Sequence, residues 1–234
     1  MTSPTTRTER DSLGPVEVPA DAYYGVHTAR AVDNFPITGK PIGSIPELVT
    51  ALAQVKVAAA QANQELGTIP AEVADAVVAA AQDVIAGQLH SQFMVDVIQG
   101  GAGTSSNMNA NEVLANRALE ILGKPRGEYD TVNPLDHVNR GQSTNDVYPT
   151  ALRIALYKAI DLLLGKMEAL AQSLRAKGEE FSDVITMGRT QLQDAVPMTF
   201  GLAFNAYAHS VDSDIAVITS VREQLLDINL GGTA

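Results

Sequence analysis

From Pro46 onward, apolar residues recur at the alternating steps of four and three that mark one buried face of a helix: Leu48, Leu52, Val55, Ala59, Ala62 and Leu66. Pro46 has the fixed φ suited to a first helical turn and Gly67 supplies a stop, so the spacing predicts a helix over 46–66. A second predicted helix follows Pro70, with Val73, Val77, Ala80 and Val84 on one face and Gly87 as its end. A third runs from near Asn107 to Leu122, closed by Gly123 and Pro125. The fourth, over 147–176, is longer than an ordinary globular helix. Its seam is Leu156, Ile160, Leu163, Met167, Leu170 and Leu174, and Leu152, Ala155, Ala159 and Leu162 give it a second apolar face. Burial on two sides calls for a multi-helix core or an oligomer. The last segment, 198–228, repeats the pattern with Phe204, Tyr207, Val211, Ile218, Val221, Leu225 and Ile228, interrupted by Asp214.

The first forty-odd residues carry Pro15, Pro19, Pro36 and Pro41 with Gly14, Gly25 and Gly39, and read as loop. Within them, 14–18 and 23–26 are predicted short strands. The chain has no internal repeat and no low-complexity tract.

Three polar segments each lead into a predicted helix: GGAGTSSNMN at 100–109, GQSTND at 141–146 and GRTQLQDAVP at 188–197. A helix start presents unpaired N–H groups and the positive end of the dipole, which together favour a small anion. In the first segment, glycines allow close backbone approach, Thr104, Ser105 and Ser106 are donors, and Asn107 or Asn109 stands near the helix start as a cap. The second places Ser143, Thr144 and Asn145 before Asp146, itself a candidate cap. In the third, Thr190, Gln191 and Gln193 accompany Arg189, and Pro197 is read as the start of the next helix. A single such loop is most simply a capped turn. Three of them, each with more hydroxyl and amide groups than one cap needs, point to a ligand with more than one carboxylate.

Composition narrows the alternatives. An apolar content of 45% over 234 residues is enough for a real core, and a net charge of -11 argues against nucleic acid or an anionic membrane as partner. No cysteine is present, which excludes a disulfide framework and a thiol nucleophile. The polar start of the chain lacks the apolar run of a signal peptide, and a soluble, cytoplasmic protein is the expectation. His27, His90, His137 and His209 show no metal spacing. His90 and His209 read as helix residues, whereas His27 and His137 fall in predicted loops and are candidates to line a site. There is no GxSxG elbow, P-loop or dinucleotide fingerprint.

Taken together, EVPADAYYGVHT at 17–28, GGAGTSSNMNANE at 100–112, GQSTND at 141–146 and GRTQLQDAVPM at 188–198 closely resemble the N-terminal half of the aspartase/fumarase superfamily. Thr144 stands where fumarases typically have a second Ser, Gln191 where they have His, and Asn133 before Pro134 replaces their usual His. All three differences favour the aspartase branch. The resemblance implies a mainly α fold, with an N-terminal helical domain at 1–145 followed by the first part of a long-helix bundle domain at 146–234. It implies reversible, cofactor-independent elimination of ammonia from L-aspartate to give fumarate. Thr104, Ser143 and Thr144 would hold the carboxylate that becomes an aci-acid, Asn145 and Gln191 would lie near the departing amino group, and Thr190 near the other carboxylate. A homotetramer with active sites shared between subunits is also implied.

The family's general base is a Ser on a loop of GSSxMPxKxNP type that falls C-terminal to Ala234, as does the family's C-terminal domain. The chain as written is therefore expected to orient substrate without a catalytic base and to be inactive alone. Two further readings stay open: a fumarate hydratase of the same superfamily, and a non-catalytic helical oligomer.

Overall fold

The computed structural model describes residues 5–233. The chain divides into two compact units, one reaching through Ala155 and including the segment from Ile228 onward, the other spanning Leu156–Asp227. No helix of the described residues is long and apolar enough to cross a membrane.

The first unit opens with an antiparallel hairpin, β1 (Thr6–Asp11) and β2 (Gly14–Pro19), in which Thr6 faces Pro19 and Asp11 faces Gly14. The expected strand at 14–18 is therefore present, with a partner in residues read as loop. The strand expected at 23–26 is not: Tyr23 and Tyr24 lie in irregular chain, and Val26 begins helix α1 (Val26–Asn34). The start of α1 depends on two carboxylates distant in sequence. Glu9 Oε2 accepts from Val26 N at 2.9 Å. Glu112 accepts from the backbone N–H groups of Gly25, His27 and Thr28 at 2.8, 2.8 and 3.0 Å and from the Thr28 hydroxyl at 2.7 Å. Unpaired amides at a helix start are thus met by negative charge, the arrangement that the dipole favours. Burial and the neighbouring carboxylates push the Tyr129 hydroxyl well above its ordinary pKa, so it stays a donor to both oxygens of Glu9, at 3.0 Å each.

The core is built by α2 (Pro46–Glu65), α3 (Ala71–Ile85) and α4 (Thr104–Ile121). Leu48, Leu52 and Val55 of α2 and Val73, Val77, Ala80 and Val84 of α3 are buried, as the spacing predicts. Leu66 departs from the pattern: it caps α2 and is 75% exposed, because the seam runs past the last helical turn. His90 lies in a short 3-10 turn after α3, where its Nε2 meets the Val84 carbonyl at 2.9 Å.

Helix α5 (Thr144–Glu180) is 37 residues long, about 55 Å at the standard rise. Pro149 sits in its second turn, and the turns up to Ala155 belong to the first unit. In the second unit, Ala171 is buried, but Leu156, Leu163 and Leu170 of the predicted seam and Leu162 of the second face are exposed. Helix α6 (Phe200–Gln224) shares that unit and also leaves Leu202, Tyr207, Val217 and Val221 exposed. Within the unit, Phe181 packs on Phe204 at 5.8 Å between ring centroids, and the Arg222 guanidinium stands 3.7 Å over the Tyr157 ring while pairing with Asp161 at 2.7 Å.

The 188–197 segment is not a loop at a helix start. It forms most of an antiparallel hairpin, β3 (Ile185–Thr190) and β4 (Gln193–Thr199), in which Arg189 faces Asp194 and Pro197 faces Met187. The helix begins only at Phe200, where the Thr199 hydroxyl accepts from Leu202 N at 3.2 Å.

Candidate functional site

Two of the three polar segments come together in the first unit, at the starts of α4 and α5. Gly103 precedes α4 with φ 84°, a conformation that suits glycine, and a side chain added there would run into the Tyr148 ring on the second turn of α5. Close approach of the two helix starts therefore requires this glycine. A hydrogen bond joins them as well: Asn107 Nδ2 donates to Thr144 Oγ1 at 3.1 Å and to Asn139 Oδ1 at 3.0 Å.

The caps differ from those expected. Asn107 and Asn109 are not caps: both are buried inside the first turns of α4. Gln99 takes that role, its Oε1 accepting from Ser106 N at 2.9 Å and its Nε2 donating to Ser106 Oγ at 2.7 Å. Asp146 is likewise not the cap of α5. Ser143 is, with Oγ accepting from Asn145 N at 3.1 Å. Asp146 is buried and instead accepts from Thr233, at 2.6 Å from the hydroxyl and 3.2 Å from the backbone N–H. Nearby, Asn229 Nδ2 donates to the Asn145 carbonyl at 2.9 Å, so the 229–233 segment lies on the GQSTND turn.

Thr104 and Thr144 are thus the first residues of adjacent helices, and Ser143 immediately precedes the second. Thr104 and Asn145 are exposed, Ser143 and Thr144 half-buried. The Asn107 Oδ1 atom is buried without a hydrogen-bond partner among the described residues. Hydroxyl groups at two positive helix ends form a site suited to a carboxylate. Thr190 and Gln191 belong to the second unit, at the exposed tip of the β3–β4 hairpin. Gln191 and Leu192 form its two-residue turn with φ 45° and 65°, a left-handed conformation for two residues that are neither Gly nor Asn. Backbone strain of this kind is held at about 1–3 kcal/mol per residue and is concentrated at functional sites.

Of the two candidate histidines, His27 lies on α1 rather than in a loop, its backbone tied to Glu112. His137 lies in a π-helical turn, Pro134–Val138, where Asn133 Oδ1 accepts from Leu135 N and Asp136 N at 2.8 and 3.0 Å and Asn133 N donates to His137 Nδ1 at 3.0 Å. That ring nitrogen must stay unprotonated to accept. Burial, aided by Arg140 and opposed by Asp136, holds the imidazole below its ordinary value of 6.5. A folded pKa below the unfolded one means that the contact's stabilisation is complete above 6.5 and is lost as pH falls through the lowered folded value. An NMR titration of His137 is expected to give a midpoint below 6.5, and one above it would contradict the assignment.

Sequence reasoning missed Lys56, Asn139 and Gln142, which support the joined helix starts from beneath. Lys56 is wholly buried, and its Nζ donates at 2.9 Å to both Asn139 Oδ1 and Gln142 Oε1. The signal was available, because position 56 is four residues after Leu52 and three before Ala59, on the core face of α2.

Comparison with known proteins bears on what this arrangement serves. Residues 14–234 match the profile of a family described as Lyase. The chain belongs to this lyase family. An aspartate ammonia-lyase of Pseudomonas canavaninivorans is 54% identical over 229 residues, covering 97% of the chain and 48% of that relative. A fumarate lyase:delta crystallin from Brucella melitensis, in native form, is also 54% identical, with a TM-score of 0.93 over 97% of the chain and 53% of that protein. A class II fumarase from Schistosoma mansoni is 38% identical, with a TM-score of 0.89 over 98% of the chain and 48% of that protein. The mainly helical fold of the lyase family is therefore shared, and the chain spans about half the length of the relatives it matches.

Proposed function

We propose that this chain is the substrate-orienting part of an aspartate ammonia-lyase, which interconverts L-aspartate with fumarate and ammonia. The observation that carries the reading is the junction of the α4 and α5 starts by Gly103, Tyr148 and the Asn107–Thr144 hydrogen bond. The greater likeness to an aspartate ammonia-lyase than to a class II fumarase, 54% against 38%, supports this choice of substrate.

The difficult step is removal of a proton from the carbon beside a carboxylate, which places a second negative charge on that carboxylate as an aci-acid. Fixed donors and helix dipoles aimed at the developing charge lower the barrier most, because they bind the intermediate better than the substrate. Thr104, Ser143 and Thr144 take this part. Thr144 Oγ1 accepts from Asn107, so its own proton is free for the substrate. Asn145 and Gln191 are assigned to the departing amino group and Thr190 to the other carboxylate, and strain at the Gln191 turn fits a residue held for function. The proton acceptor comes from the Ser loop that the family carries beyond these residues. Assembly as a homotetramer with shared sites is part of the proposal, supported by the exposed Leu156, Leu162, Leu163 and Leu170.

Absorbance of fumarate tests the reading once the chain is co-assembled with the C-terminal half of an aspartate ammonia-lyase, with the assembly confirmed by size-exclusion chromatography. L-aspartate is expected to yield fumarate and L-malate is not. Turnover of L-malate would assign a fumarase, turnover of neither would leave a non-catalytic oligomer, and turnover by the chain alone would overturn the placement of the base. In the assembled enzyme, Thr144→Ala is expected to lower kcat/KM for L-aspartate by about 10²–10³, as loss of one oxyanion donor does. Unchanged kinetics would remove Thr144 from the site.

A further inference from the structure

Lys56 is a costly residue where it stands. Its side chain is wholly buried among apolar neighbours of α2, and its hydrogen-bond acceptors are the amide oxygens of Asn139 and Gln142 rather than a carboxylate. Burying an ammonium group this way carries a penalty of several kcal/mol unless its bonds are well made, and Leu or Met would fill the same space without it. Burial accordingly pushes the amine well below its ordinary pKa. In this structure its Nζ donates to both amide oxygens.

Those two bonds set the direction of the hydrogen bonds that follow. With Lys56 as donor, Asn139 and Gln142 each present oxygen to it, the only arrangement open to an ammonium group, which has no lone pair. Asn139 Nδ2 is then free to donate to the Gln142 carbonyl at 2.9 Å, and Gln142 Nε2 to the Val138 carbonyl at 2.9 Å, which closes the turn before α5. Asn139 Oδ1 also faces Asn107 and can only accept, so Asn107 must donate to it at 3.0 Å. The same Asn107 Nδ2 donates to Thr144 Oγ1 at 3.1 Å. With an acceptor lone pair of Thr144 filled, its hydroxyl proton points elsewhere.

We propose that Lys56 is a positioning residue which, through Asn139 and Asn107, sets the Thr144 hydroxyl as a donor toward the substrate carboxylate. This rests on the reading above, in which Thr144 holds that carboxylate. Hydrogen bonds in such a chain polarise one another, so a change at its far end is felt at Thr144 without any contact between Lys56 and the substrate.

A double-mutant cycle in the co-assembled enzyme tests it, with kcat and KM for L-aspartate measured for Lys56→Met, Thr144→Ala and the pair. Lys56→Met is expected to lower kcat/KM by about tenfold, the equivalent of one oriented hydrogen bond, mostly in kcat. In the Thr144→Ala background the same change is expected to have less than about a threefold effect, because the group through which it acts is gone. Equal effects in both backgrounds would show a merely structural role and overturn the inference while leaving the functional reading intact. An unchanged Thr144→Ala enzyme would instead overturn the functional reading, and this inference with it. Should Lys56→Met fail to assemble, Asn139→Ala carries the same cycle: it interrupts the chain at its middle and leaves the Lys56–Gln142 bond in place. Additivity of Asn139→Ala with Thr144→Ala would be equally decisive against it.

Discussion

Gly103→Ala is expected to lower stability by about 2–4 kcal/mol and to abolish most activity in the assembled enzyme, because two penalties fall on one position. The left-handed backbone at φ 84° costs a residue bearing a Cβ about 1 kcal/mol. The new methyl group would also stand inside the Tyr148 ring, and forcing atoms into a packed site typically costs about 1–3 kcal/mol. Tyr148 cannot simply swing away, since it is packed against the core. Relief comes most easily by parting the two helix starts, which also stretches the Asn107–Thr144 bond. Thermal unfolding and L-aspartate turnover, measured on Gly103→Ala alone and paired with Tyr148→Ala, separate the two penalties. The glycine substitution is expected to be milder in the background lacking the ring, and an equal loss there would show that the ring contact does not govern this approach.

Glu112→Ala is expected to destabilise the first unit by about 3–5 kcal/mol, because one carboxylate satisfies three backbone N–H groups and one hydroxyl at the start of α1. The alanine would leave those donors unpaired and remove the negative charge from a positive helix end. Glu9 cannot take them over, being held by Val26 N, Tyr129 and Arg7, the last at 2.6 Å. Hydrogen exchange would locate the damage: α1 is expected to lose protection first, with α2 and α3 retaining theirs. Glu112→Gln keeps one acceptor oxygen and is expected to lose less. A variant Glu112→Ala as stable as the parent would mean that α1 is held by its packing on α4 rather than by its cap.

These two residues also show which parts of the molecule the sequence made readable. Helices α2 and α3 were legible because their information is local, in apolar residues at helical spacing with Pro and Gly at the ends. Helix α1 was not, because its start is closed by Glu9 and by a carboxylate 84 to 87 positions along the chain. The β3–β4 hairpin was read as a loop because its turn, Gln191–Leu192, lacks the Asn-Gly signal that such a turn prefers and adopts positive φ in spite of its residues. At the site, the two helix starts and their hydroxyl groups could be read directly. How Asn107, Asn139 and Lys56 tie them together could not, since hydroxyl and amide side chains near a helix start have capping as their default explanation, and only the folded structure brings Asn107 to face Thr144 instead.

The most direct test of the central claim is the structure of the co-assembled enzyme with succinate, a dicarboxylate that the reaction cannot consume. One carboxylate is expected to sit against the α4 and α5 starts, with its oxygens within about 2.5–3.0 Å of the Thr104, Ser143 and Thr144 hydroxyls. Succinate bound elsewhere, with those three hydroxyls left without a ligand, would contradict the account.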